Sequence, residues 1–162
     1  MGNTRVACFH HIGEPTEDKF THSIEQILAY EGQITFDGAY ESVWAHREAL
    51  KDKDIIIFLQ GLTLGMEGVM NFHRVSILGR DYGFYIGWHG WTHRRLTDLP
   101  DHAVIAELTP PTEWNIIPLY AYPHGDFDER TKDIVKSMGY KQAYSTTQGE
   151  EGNEFAIPRM YV

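Results

Sequence analysis

The segment that most constrains the fold is 54–59, which reads D-I-I-I-F-L and is apolar without interruption after Asp54. A strand on a solvated sheet alternates apolar and polar side chains, whereas a parallel strand covered on both faces is apolar throughout. The run therefore predicts a buried strand in a parallel sheet, and such a sheet requires helices on its faces.

Strand and helix patterns alternate along the rest of the chain. Further strands are predicted at 6–12, 33–37, 83–86, 116–122 and 141–146, with helices at 16–30, 41–51, 69–78, 102–108 and 129–138. The first helix is assigned an N-cap at Thr16, followed by the acidic residues Glu17 and Asp18, and Gly139 closes the last. The alternation predicts an α/β fold with a largely parallel sheet, open or closed, in a single domain spanning residues 1–162.

Composition and charge exclude several classes of partner. The net charge is -9 and no basic stripe is visible, so no nucleic-acid partner is expected. No segment is apolar enough to span a membrane. Arg5 is followed by the first strand and not by an apolar signal region, so the chain as given is expected in the cytoplasm. A protein whose leader had been removed would look the same but would lie outside the cytoplasm. The single cysteine, Cys8, excludes an internal disulfide and is expected to be a buried, inert thiol.

Two histidines lie four residues apart in the segment 86–93, I-G-W-H-G-W-T-H. If this segment turns helically after a strand, His89 and His93 share a face and both imidazoles reach one metal ion. Imidazole is a common ligand of zinc, with Zn–N bonds of about 2.0–2.1 Å. The alternative interpretation is a surface turn with two solvated histidines.

Other polar residues follow the predicted strands at their carboxyl ends, where parallel α/β sheets bind their ligands. Those able to bind metal or move protons are His10, His11, Asp37, His89, His93 and His124. Polar residues from separate segments are thus predicted at the same edge of the sheet, which indicates a functional site there. The alternative is that each residue caps its own loop.

Several segments resemble the motifs of one known family. Residues 35–40 (T-F-D-G-A-Y) resemble the T-F-D-D-G-Y motif of the polysaccharide deacetylases, the NodB-homology domain of carbohydrate esterase family 4. Residues 89–93 resemble that family's H-[ST]-x-x-H metal motif. Residues 120–128 (Y-A-Y-P-H-G-D-F-D) are similar to F-A-Y-P-Y-G-D-Y-D of a short subgroup, 156–162 to its closing L-P-R-I-P-V, and 9–12 (F-H-H-I) to its Y-H-x-[IV].

The resemblance implies a distorted, incomplete (β/α) barrel with about six or seven mostly parallel strands. It also implies one divalent metal ion, with zinc first and cobalt or nickel as alternatives, and the removal of N- or O-acetyl groups from a sugar or polysaccharide. By motif match, His89 and His93 are the metal ligands and Asp37 is the general base. Backbone N–H groups near the third motif would hold the oxyanion.

One departure from the family pattern affects the metal. Gly38 stands where the family has its second aspartate, the third metal ligand. Either Asp37 turns to ligate the metal and the base is lost or replaced, or the metal binds to two histidines and water. Restoring the carboxylate with Gly38→Asp is expected to tighten metal binding. Arg159 could place a positive charge near Asp37, although nothing in the sequence puts it there.

Other departures affect the acid and the substrate contacts. His124 replaces the family's tyrosine and could help to bind the metal, act as an acid or cap the loop. No late L-x-H motif is present, so His10 or His11 must act as general acid, and His10 matches the family position better. Tyr122, His124 and Trp88 are the candidate substrate contacts, Trp88 because an aromatic face can stack on a sugar ring.

Three functions remain open on the sequence. The first is a metal-dependent sugar deacetylase with an altered metal shell. The second is a catalytically inactive relative that binds carbohydrate or another partner, supported mainly by Gly38. The third is a hydrolase of C–N bonds in a small, non-carbohydrate substrate.

Overall fold

In the computed structural model, which describes residues 5–17 and 20–162, six parallel strands form one sheet. They are β1 (Val6–Phe9), β4 (Gln33–Asp37), β5 (Ile55–Leu59), β6 (Tyr85–Trp88), β7 (Leu119–Ala121) and β8 (Gln142–Tyr144), in that order across the sheet. Two short strands, β2 (His11–Ile12) and β3 (Thr21–His22), pair separately. The sheet curls into a half-barrel, which confirms the α/β fold and the incomplete barrel.

Strand β5 lies in the interior of the sheet, as its continuous apolar sequence predicts. All five of its residues are buried. It pairs with β4 on one side, where Ile55 faces Ile34, and with β6 on the other, where Ile57 faces Ile86. Helices and the barrel interior cover its two faces, so no position along it needs a polar side chain.

In the described part of the chain six α-helices connect the strands, and the predicted boundaries shift in several of them. They are α1 (Ile24–Leu28), α2 (Glu41–Ala45), α3 (Arg47–Leu50), α4 (Phe72–Tyr82), α5 (Asp101–Glu107) and α6 (Glu129–Ser137). The predicted helix 41–51 is divided in two at His46, and α4 begins at Phe72 because Asn71 caps it. Among the described residues, no helix is both long and apolar enough to cross a membrane.

The predicted start of the first helix is wrong. Ser23 and not Thr16 is the N-cap, since its side chain accepts a hydrogen bond from the Gln26 backbone N–H while the Gln26 side chain caps Ser23 in return. Glu17 lies in a turn, and Asp18 falls outside the described residues. This reciprocal capping box fixes the helix start more firmly than a single threonine could.

The C-terminal segment fills the gap between the two outer strands of the half-barrel. Met160 pairs in parallel with Ala7 of β1, and Ile157 pairs in parallel with Tyr144 of β8. The Cys8 N–H donates to the Met160 carbonyl at 2.9 Å. Residues 157–160 thus bridge the first and last strands, and this brings Arg159 into the barrel interior, where it is fully buried.

Candidate active site

Most predicted site residues converge at the carboxyl end of the sheet. His10 follows β1, Asp37 is the last residue of β4, His89 follows β6, and His124 lies in a short turn after β7. Because all these strands are parallel, their carboxyl ends share one edge, and the side chains that extend from them surround one space.

His89 is held in the state that a metal ligand requires. Its ring is 2% exposed, and its Nδ1 lies 2.7 Å from the carbonyl oxygen of Ala121. A carbonyl can only accept, so Nδ1 carries the hydrogen and Nε2 carries the lone pair. Burial lowers the pKa of His89 to about 4, so the ring is neutral near pH 7. Its Nε2 is buried with no hydrogen-bond partner and lies 3.9 Å from Asp37 Oδ2.

The second histidine of the pair comes from a loop, so the predicted helical turn is wrong. Residues 89–95 form no helix, and the chain reverses through Gly90, with φ 84°, and His93, with φ 61°. The two imidazoles nonetheless approach, with ring centroids 4.9 Å apart. His124 continues the row: its ring centroid is 4.5 Å from that of His93, and its Nε2 lies 3.2 Å from the His93 carbonyl oxygen.

Asp37 forms a buried ion pair with Arg159. Arg159 donates from its two terminal nitrogens to Oδ1 at 2.6 Å and Oδ2 at 2.8 Å. Burial raises the pKa of Asp37, but the charge and hydrogen bonds of Arg159, together with the nearby His89 and His10, outweigh burial and hold that pKa well below its usual range. Asp37 is therefore an ionised carboxylate in a fixed orientation. The sequence offered Arg159 as a candidate charge, and the closing segment of the barrel carries it to this place.

Cys8 and His10 line the site beside Asp37. The Cys8 thiol donates to Asp37 Oδ2 at 3.4 Å, and the His10 Nδ1 is buried with no hydrogen-bond partner. Among the described residues, Cys8, His10 and Asp37 form the one group of three whose metal-ligating atoms all lie within 4.8 Å of each other. The thiol is buried, as expected, but sequence reasoning missed its place in the site. The available signal was the alternation of strand residues, which puts positions 8 and 10 on one face.

Position 38, where the family has a carboxylate, is closely packed and has a backbone conformation suited to glycine. Gly38 has φ 108°, a conformation that other residues rarely adopt. A Cβ atom at this position would lie 2.8 Å from Cε2, 2.9 Å from Cζ and 3.1 Å from the hydroxyl oxygen of Tyr40. The phenol ring of Tyr40 therefore occupies the space that a side chain at position 38 would need.

The residues present fit a divalent cation. His89 offers an orphaned, buried lone pair, and Asp37 offers negative charge on the same side of the ring. Two ligands of a tetrahedral zinc ion lie about 3.4 Å apart for bonds near 2.1 Å. The 3.9 Å between His89 Nε2 and Asp37 Oδ2 is too long for a hydrogen bond and about half an ångström longer than that spacing. Arg159 already engages both oxygens of Asp37, which favours a role for this carboxylate beside a cation over one as its ligand.

Two predicted substrate contacts are enclosed in the core. Trp88 and Tyr122 are both 0% exposed. The Trp88 indole N–H donates to the Glu107 carbonyl at 2.7 Å, and the Tyr122 hydroxyl donates to the Phe155 carbonyl at 2.9 Å. Neither ring has surface for a sugar. His124 is exposed and remains available, and Trp91 is half-buried beside Trp88, with ring centroids 5.1 Å apart.

The fold agrees with the family to which the chain is matched. A family model described as polysaccharide deacetylase matches residues 33–143, a stretch that begins with β4 and includes Asp37 and the histidine pair. The chain belongs to the polysaccharide deacetylase family, the family 4 carbohydrate esterases. A comparison of this chain with curated proteins finds no match.

Solved structures of deacetylases share the fold. A polysaccharide deacetylase from Bacillus cereus is similar with a TM-score of 0.77 and 18% identity, over 96% of this chain and 63% of that one. The deacetylase PplD from Streptococcus pyogenes, in complex with acetate, has a TM-score of 0.78 and 14% identity, over 97% and 91%. IcaB from Ammonifex degensii has a TM-score of 0.74 and 15% identity, over 99% and 92%. The chain thus spans less than two thirds of the Bacillus structure, and at these identities the likeness shows the fold alone.

Proposed function

We propose that the protein is a metal-dependent deacetylase that removes N- or O-acetyl groups from a sugar or polysaccharide. The observation that carries the proposal is the convergence of two groups in one buried site: the orphaned lone pair of His89 and the carboxylate of Asp37, fixed by Arg159. Family membership gives the reaction class, and the site retains groups suited to it.

His89 and His93 would hold a divalent ion, zinc first, with cobalt or nickel as alternatives. When bound, such an ion supplies Lewis acidity to an acetyl carbonyl and lowers the pKa of a water to about 7. Asp37 then has a defined task, which is to take the proton of the attacking water. Its low pKa makes it a weak base, so it can act only on a water that has been acidified in this way.

His10 is the proposed general acid. Its Nδ1 has no partner and lies in the same cluster as Asp37. Burial lowers the pKa of His10, with the negative charge of Asp37 opposing this effect, so the ring is neutral near pH 7. It would therefore take up the proton that Asp37 removes from the water and pass it to the departing amine or alcohol, which closes the proton balance of the hydrolysis. His11 is exposed and packs against Tyr40, with ring centroids 3.8 Å apart, which makes it the weaker candidate.

Metal content and acetate release test the proposal on purified protein. We expect the wild-type protein to bind zinc or cobalt and to release acetate from acetylated chito-oligosaccharides, with activity lost to a chelator. His93→Ala should lose both properties, whereas His102→Ala, at an exposed position on α5, should keep them. Absence of bound metal at micromolar concentrations would refute the proposal. Metal binding without acetate release, but with oligosaccharide binding, would instead indicate the inactive, carbohydrate-binding relative.

A further inference from the structure

We infer that Glu107 is a positioning residue that fixes the loop between the two metal-binding histidines, an inference that rests on the proposed function. Glu107 is the last residue of α5 and is 7% exposed. One carboxylate oxygen accepts from the backbone N–H groups of Trp91, at 2.8 Å, and Thr92, at 3.1 Å. The other accepts from the Thr92 hydroxyl at 2.7 Å. Both carboxylate oxygens thus accept hydrogen bonds from two consecutive residues of the loop.

The loop is shaped around this carboxylate. A Cβ atom on Gly90 would lie 2.8 Å from Glu107 Oε2, so only glycine permits the approach. The backbone of Glu107 is held as well, since its carbonyl accepts from the Trp88 indole N–H. Glu107 therefore connects the end of β6 to the loop that follows it.

Glu107 is a buried acidic residue whose partners in the described part of the chain are hydrogen-bond donors. The ion pairs of the described residues include none with Glu107, so the carboxylate is stabilised by the N–H and hydroxyl dipoles of the loop. Burying an anion in this way costs free energy that a neutral acceptor would avoid. A charged acceptor in turn binds the loop N–H groups more strongly than a neutral one would.

The two histidines are then oriented by different supports. The Ala121 carbonyl fixes the ring of His89. His93 directly follows the residues bound by Glu107 and has φ 61°, a strained conformation for a residue with a side chain. The three hydrogen bonds at positions 91 and 92 hold the chain in the turn that brings His93 to within 4.9 Å of His89, measured between ring centroids.

Cobalt binding separates positioning from plain structural support. We expect Glu107→Gln, which has the same shape, to weaken Co²⁺ binding about 10- to 100-fold in a chelator competition and to alter the visible Co²⁺ spectrum. The matched control is Tyr140→Phe, which removes a buried 2.7 Å hydrogen bond to the Leu108 carbonyl at the same end of α5 without touching the loop. This control should lose stability but keep its Co²⁺ affinity and spectrum.

Each outcome decides a different question. Wild-type protein that binds no Co²⁺ overturns the proposed function and this inference with it. Wild-type binding with an unchanged affinity in Glu107→Gln overturns the inference alone, as would an equal loss in Tyr140→Phe. If Glu107→Gln does not fold, Thr92→Val takes its place: it should weaken Co²⁺ binding, and Thr92→Ser, which keeps the hydroxyl, should restore it. Equal affinities in those two variants would also refute the inference.

Discussion

Replacing Arg159 with methionine should destabilise the protein severely, because it removes one partner of a fully buried ion pair. Arg159 is 0% exposed and makes four hydrogen bonds: two to Asp37, one to the Thr35 hydroxyl at 3.0 Å and one to the Ser145 carbonyl at 2.7 Å. Methionine fills part of the volume but leaves the carboxylate of Asp37 buried and unpaired.

The expected loss in the free energy of unfolding is about 3–5 kcal/mol, the usual cost of breaking a buried pair by removing one partner. For a domain of this size each kcal/mol lowers the melting temperature by about 2–4 °C, so the expected drop is about 6–20 °C. Arg159→Lys should lie between wild type and Arg159→Met, because an ammonium keeps the charge but cannot bind both carboxylate oxygens in parallel.

Urea unfolding measures this loss directly, with two comparison variants. Arg80→Met removes an exposed arginine paired with Asp81 and should leave the urea midpoint unchanged. The double variant Asp37→Asn/Arg159→Met removes both charges and should be more stable than Arg159→Met alone. A loss below about 1 kcal/mol in Arg159→Met, or no recovery in the double variant, would show that this ion pair contributes little to the free energy of unfolding.

Three further predictions follow from the same geometry. The pKa of Asp37 is lowered in the folded state, so the stability that its pairing provides is complete above the unfolded carboxyl pKa of about 4 and is lost as pH falls toward the folded value. Between about pH 6 and pH 3, the free energy of unfolding measured in urea should therefore fall less for Asp37→Asn/Arg159→Met than for wild type. The motif alone predicts tighter metal binding in Gly38→Asp, but the structure reverses this expectation: the variant should lower the melting temperature and fail to tighten Co²⁺ binding, because position 38 has φ 108° and faces the Tyr40 ring. Higher Co²⁺ affinity in this single variant would contradict that packing. Trp88→Phe should cost about 1–3 kcal/mol of stability, through its lost hydrogen bond and volume, because the ring is fully buried. Urea unfolding measures this cost, and a loss below about 0.5 kcal/mol would show that the hydrogen bond to Glu107 contributes nothing to the fold.

The sheet could be predicted from the sequence because each strand carries its own signal. The apolar run at 54–59 predicted β5, and polar residues after four strands marked the edge that bears the site. The sequence also contains the signal for the start of α1, which is Ser23 followed three residues later by Gln26. The acidic residues after Thr16 gave a second N-cap signal, and the prediction followed that one. Local sequence patterns thus predict the strands and helices well, but they do not decide between two candidate N-cap residues such as Thr16 and Ser23.

Contacts between distant segments could not be predicted in the same way. Arg159 and Asp37 lie 122 positions apart, and only the pairing of the C-terminal segment with β1 and β8 brings them together. Glu107 lies in an ordinary helical pattern, and its role depends on the path of a loop with left-handed backbone at His93. The spacing of the histidine pair was informative for a reason other than the one assumed, since a loop and not a helix joins them.

Gly38 and Tyr40 are best understood as one packing unit. At position 38 the chain adopts a backbone conformation suited to glycine, and the Tyr40 ring takes the space that a side chain would use. A carboxylate restored there would therefore need two changes, a different backbone and a displaced ring, before it could reach a cation. The consequence can be tested: Gly38→Asp combined with Tyr40→Ala opens that space, so it should bind Co²⁺ more tightly than Gly38→Asp alone. Equal affinities would mean that the backbone at position 38, and not the ring, keeps the carboxylate away from the metal.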